Sequence, residues 1–110
     1  MKDHEKRTGT TEPDQQTYRL MWQGIEMEAR YTPLKWNTIA HLEIETVNPA
    51  RARLPITDTG YLSHFHPIGT IEREYDGDVI KCVREWLDAR AKEPAWKRYV
   101  DASRQVDLFG

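Results

Sequence analysis

The chain has 110 residues, 38% hydrophobic and 31% charged, enough for one modest core and too few for a second, catalytic domain. Sixteen basic residues against eighteen acidic ones leave a formal charge of -2, which excludes a bulk electrostatic attraction to nucleic acid or to an anionic membrane. No apolar run approaches a membrane span, Met1 to Glu5 lacks the apolar stretch of a secretion signal, and the single Cys82 permits neither an internal disulfide nor a multi-cysteine metal site, so a cytoplasmic protein is expected.

Residues 2–17 carry no apolar side chain, so 1–17 is expected to form a disordered arm ahead of a single domain over 18–104. The domain opens with alternation: Tyr18, Leu20 and Trp22, then Ile25, Met27, Ala29 and Tyr31. A two-residue turn at Gln23-Gly24 sets Trp22 against Ile25, Leu20 against Met27 and Tyr18 against Ala29 on a buried face, and Arg19 against Glu28 on an open one. Apolar and charge matching agree on that one register. Thr32 to Asn37 then reads as a turn. From Thr38 to Val47 a third strand points Ala40, Leu42 and Ile44 inward and His41, Glu43 and Glu45 outward.

Asn48-Pro49 ends that strand, and about 25 residues follow that are too many for a structureless loop. They are read as an ordered irregular segment with a short edge strand at Tyr61 to Phe65, pinned by Ile56, Tyr61, Phe65 and Ile68. Asp76 can cap a helix in which Val79, Cys82, Val83, Trp86 and Leu87 share one face. Pro94 opens a second helix, with Trp96, Tyr99 and Val100 inward and Lys97, Arg98 and Asp101 toward water. The expected fold class is α+β: an antiparallel sheet of three to four strands with two C-terminal helices packed on one face.

Four groups of residues invite a chemical reading. His64 and His66 sit two apart on one side of an extended segment, a spacing that could grip zinc with His41 or Glu43 as a third ligand. No cysteine pair or His-Glu-x-x-His pattern supports a metal, however, and the expectation is no metal and no cofactor. Ser63, His64 and Asp58 supply the residue types of a nucleophilic triad without a nucleophile elbow. Ser63 and His64, being adjacent on a strand, point to opposite faces, and the chain is expected not to be an enzyme. Arg51 and Arg53 lie near Tyr61 and Phe65 and could form a local anion site, but without a clustered basic face direct nucleic-acid binding is not expected. Glu26, Glu28, Glu43 and Glu45 fall on the open face of neighbouring strands, only partly offset by Arg19, Arg30 and His41. They could dock a basic partner, or be the outward charges of an ordinary solvated sheet.

The C-terminal Gln105-Val106-Asp107-Leu108-Phe109 resembles the short peptide with which bacterial polymerases and repair proteins hold the DNA sliding clamp. The resemblance implies that Gln105 bonds at the polar lip of the clamp groove while Leu108 and Phe109 fill its apolar bottom. Val106 stands where the family prefers Leu, and Asp107 matches it. Residues 105–110 are therefore expected to form a binding tail, or else to cap this protein's own core. A second resemblance covers most of the chain. The stretch from Tyr18 to Ile44, the segment from Pro55 to Phe65, and Ala102 to Phe109 are similar to small uncharacterised proteins of plasmids and other mobile elements of proteobacteria. Together these resemblances imply a non-enzymatic accessory protein that binds the sliding clamp and modulates replication. The alternative is an anti-defence inhibitor of a host CRISPR or restriction complex, acting through the acidic sheet face.

Overall fold

The computed structural model describes residues 15–109, with side chains to Arg104. Four strands, β1 (Gln16–Trp22), β2 (Ile25–Lys35), β3 (Ile39–Asn48) and β4 (Tyr61–His66), form one antiparallel sheet in sequence order. Three helices follow: α1 (Thr70–Tyr75), α2 (Val79–Ala91) and α3 (Pro94–Phe109). The α+β class, the antiparallel sheet and the two long C-terminal helices are as the sequence predicts.

The β1–β2 hairpin has the expected register, Trp22 opposite Ile25 through Tyr18 opposite Ala29, with Arg19 opposite Glu28. Its turn residues Gln23 and Gly24 both have positive φ, 48° and 79°, the twist that a two-residue hairpin requires. Alternation then divides the sheet. Leu20, Trp22, Met27, Ala29, Tyr31, Ala40, Leu42 and Ile44 point to the helices and are buried with Val79, Cys82, Val83 and Leu87 of α2. Burying each large aliphatic side chain is worth about 1.5–3 kcal/mol, so this seam holds the layers together. Trp96 of α3 completes it. Burial pushes the Cys82 thiol up to about 12, leaving it a packing residue.

Several boundaries differ from expectation, each for a local reason. β1 begins at Gln16, so two residues assigned to the arm are paired, with Tyr31 and Arg30; residues 1–14 lie outside the described region. β2 runs on through Thr32–Lys35, where a turn was expected. The register slips between Thr32 and Lys35, an irregularity that accommodates Pro33 and its missing N–H inside a strand. Trp36 and Asn37, at φ 54° and 59°, make the turn instead. His41 belongs to the open face but is buried, 6% exposed.

Asp76 is not the cap of α2. It closes α1 at φ 54°, and Gly77, at φ 77°, donates its N–H to the Ile71 carbonyl at 3.1 Å. Asp78 caps α2, its carboxylate accepting the Lys81 N–H at 3.0 Å. α1 itself was not foreseen, because one buried residue, Ile71, anchors its single turn and a half and leaves no helical period to read. The backbone of Gln105–Phe109 continues α3 as helix.

Candidate functional site

The three helices pack on one side of the sheet, and among the described residues no element covers the other. On that open face the ladder sets Glu28 beside Glu45, Arg30 beside Glu43, Glu45 beside Tyr61, Glu43 beside Ser63, and His41 beside Phe65. The four glutamates predicted for this face are there, but they do not stand as free acids. Arg30 reaches Glu28 at 2.6 Å, Glu43 at 3.2 Å and Glu45 at 3.2 Å, while Arg19 takes Glu26 at 2.8 Å and Glu28 at 3.6 Å. Burial alone would push the Glu43 carboxyl up. The Tyr61 hydroxyl, which donates to it at 2.5 Å, and the Arg30 guanidinium outweigh that and hold it below the ordinary range. Four carboxylates against Arg19, Arg30 and Lys35 leave this face one negative charge in excess, with Arg51 lining a pocket beside Glu45 and Tyr61.

The acidic ladder merges into an aromatic patch. Phe65 stacks on His41 at 4.3 Å and on Trp36 at 6.1 Å, and the Lys35 ammonium lies 5.0 Å from the Trp36 ring. Trp36, Phe65 and Tyr61 are among the exposed large side chains. Sequence reasoning left Trp36 without a role. Its signal would have been a large aromatic at a hairpin turn, where apolar bulk gains nothing from a core.

The histidines of the His64-Phe65-His66 run occupy the other face. The two Nδ1 atoms are 3.3 Å apart, His64 meets the edge of Trp86 at 4.9 Å, and His66 stacks on Tyr31 at 6.2 Å. Neither His41 nor Glu43 joins them, since both point to the open face, and among the described residues no three His, Cys, Asp or Glu groups are placed to hold a metal. A cavity of about 360 Å³ beside His64 is lined by Ile56, Leu62, Trp86, Ala89 and Arg90.

Ser63 and His64 do point apart, as expected. Instead Ser63 bonds His41, Oγ to Nε2 at 2.7 Å, a pairing that local spacing could not reveal because it depends on the β3–β4 register. No carboxylate is bonded to the other His41 nitrogen among the described contacts, and the pair lies on a flat strand surface under the Phe65 ring, so it braces two strands. The two arginines of the Arg51–Phe65 stretch separate: Arg51 lines a pocket with Glu45, Thr59 and Tyr61. Arg53 is bonded to Asp58 at 3.1 Å and lies over the Tyr99 ring at 4.8 Å, while Tyr61 and Phe65 face the open side.

Burial holds the imidazoles of His41 and His66 below their ordinary value of 6.5; Lys35 and Arg30 reinforce this at His41 and His64 does at His66, against opposing pulls from Glu43 and Glu72. Among the described residues His66 Nε2 has no hydrogen-bond partner. Below 6.5 the unfolded chain therefore binds more protons than the folded one, and stability present above that pH is lost as pH falls. The urea midpoint is expected to drop between pH 7 and pH 5, and a His66→Phe protein to show a shallower drop. Equal slopes would place the proton uptake elsewhere.

The family model described as the KlcB third domain matches residues 15–96, which spans the whole sheet, α1, α2 and the start of α3. No curated protein and no solved structure matches.

Proposed function

This chain belongs to the KlcB third-domain family, plasmid-encoded proteins, and from that premise we propose that it is a non-enzymatic plasmid accessory protein that docks on a host macromolecule through the open face of its sheet. The observation that carries this reading is the asymmetry of the sheet. Among the described residues every helix covers one side, while on the other an acidic ladder and exposed aromatic rings have no covering element, all within the family-matched span. Such a face suits a basic surface, including the nucleic-acid channel of a restriction or CRISPR complex, which the carboxylates would occupy in place of phosphates.

Transfer of a plasmid carrying this gene into a host with an active defence system tests the reading. Glu26→Lys with Glu45→Lys reverses the outer charges and leaves Arg30 paired with Glu28 and Glu43. Protection is expected to fall at least about tenfold, the effect of losing roughly 1.4 kcal/mol of binding. Unchanged protection removes the anti-defence role.

A second reading, attachment to the sliding clamp, is favoured by the residues of Gln105-Val106-Asp107-Leu108-Phe109 and by their position on a stretch of α3 outside the family match. Two apolar side chains at about 1.5–3 kcal/mol each supply part of the roughly 8 kcal/mol of micromolar binding, and polar and backbone contacts of the peptide supply the rest. Calorimetry with purified clamp is expected to show such binding for the intact chain and none for a form lacking 105–110; equal heats from both forms exclude the tail.

A further inference from the structure

Trp36 is 65% exposed and Phe65 46%, yet neither ring is loose. They are stacked on each other, and Phe65 is stacked on the buried His41, so an apolar and polarisable surface is held in fixed orientation toward solvent. Tyr61, 43% exposed, lies on the same face four residues along β4, roughly 13 Å away. Exposed apolar surface of the kind that Trp36 and Phe65 form together marks interaction sites.

The same face already holds cations of the chain itself, in two ways. Arg30 sits among the carboxylates of Glu28, Glu43 and Glu45, and Lys35 lies over the Trp36 ring. Charge-assisted bonds to carboxylates and stacking on an aromatic face are the two contacts a guanidinium combines best. Unused capacity remains for both. Glu45 is 53% exposed and gives Arg30 one oxygen, Glu26 is 34% exposed, and Trp36 stays mostly exposed with Lys35 in place.

We infer that the open face is a docking site for an arginine-rich segment of a partner protein, whose guanidinium groups stack on Trp36, Phe65 and Tyr61 and bond to the free oxygens of Glu26 and Glu45. The inference rests on the docking role proposed for this face and adds the chemistry of the partner. Lysine would satisfy the charge, but its compact ammonium lacks the plane that stacks on a ring and bridges a carboxylate. Nucleic acid would find rings to stack on, but its phosphates would meet the glutamates.

Fluorescence anisotropy of the full chain with labelled nona-arginine and nona-lysine peptides, at about 150 mM salt so that diffuse attraction is screened, tests this. The arginine peptide is expected to bind at least about fivefold more tightly, and Trp36→Ala to weaken it about tenfold while affecting the lysine peptide less. Trp36 is mostly exposed, so the variant should keep its thermal midpoint, and that midpoint is measured alongside. Equal affinity for the two peptides, an unaffected Trp36→Ala protein, or tighter binding of an oligothymidine would each overturn the assignment. If the peptides bind alike while the Glu26→Lys, Glu45→Lys protein loses plasmid protection, the docking face stands and only its arginine preference falls. If protection is untouched while the preference persists, the peptide site stands and the anti-defence role falls.

Discussion

Replacing Trp22 with alanine is expected to lower stability by about 3–5 kcal/mol. Trp22 ends β1 and is 5% exposed. Its indole Nε1 donates to the Asp88 carboxylate of α2 at 2.9 Å, and its ring lies 5.7 Å from Trp96 of α3, which meets Tyr99 at 5.1 Å. One side chain thus joins the hairpin to both long helices, and its loss leaves a cavity that the rigid β1–β2 turn cannot close. Urea unfolding followed by circular dichroism measures the change. Trp22→Phe keeps most of the apolar contact and drops the hydrogen bond, and should cost nearer 1 kcal/mol beyond its smaller volume. A Trp22→Ala loss under about 1 kcal/mol would show that α3 contributes little to the folded core.

Gly60→Ala is expected to cost about 2–5 kcal/mol. Gly60 precedes β4 at φ 83°, and an added Cβ would stand 2.5 Å from Thr46 Oγ1 and 2.7 Å from the Arg51 backbone. The left-handed conformation alone costs a residue with a Cβ about 1–2 kcal/mol. The collision adds about 1–3 kcal/mol, because two of the crowded atoms are backbone and cannot rotate away. Gly24→Ala separates these terms: Gly24 has nearly the same φ, 79°, with nothing within 4 Å of the new methyl, so about 1–2 kcal/mol is expected there. Equal urea midpoints for the two variants would mean that the 49–60 segment yields freely. The consequence reaches the docking face, since the Gly60 carbonyl accepts the Thr46 N–H at 2.8 Å just ahead of the Glu45–Tyr61 rung. Displacing it should therefore also weaken the arginine peptide.

Much of the architecture was legible in the residues themselves. The period-2 pattern from Tyr18 to Tyr31 and the Gln23-Gly24 turn specified the first hairpin to the exact pair, because apolar and charge pairing agreed there. Val79, Cys82, Val83, Trp86 and Leu87 announced the inner side of α2, of which all but the partly buried Trp86 are buried, and Pro94 the start of α3. The glutamate face was also legible, as a face. What failed were readings at points where two signals compete within a few residues. Pro33 suggested a turn inside a strand that absorbs it at a register slip, and Asp76 and Asp78 are both plausible caps until the left-handed pair Asp76-Gly77 assigns them to opposite helices.

The sequence determined the elements and the faces, because alternation and helical period are set by neighbours two to four residues away. Only the tertiary structure decided which side chains meet. The convergence of Glu28, Glu43 and Glu45 on Arg30 depends on how β2 registers against β3, while the bond between Ser63 and His41, the stack of Phe65 on Trp36 and His41, and the separation of His64 and His66 from that face depend on how β4 registers against β3. That register is fixed by the path of the intervening segment and by the close approach of Gly60 to Arg51, contacts for which no local periodicity exists.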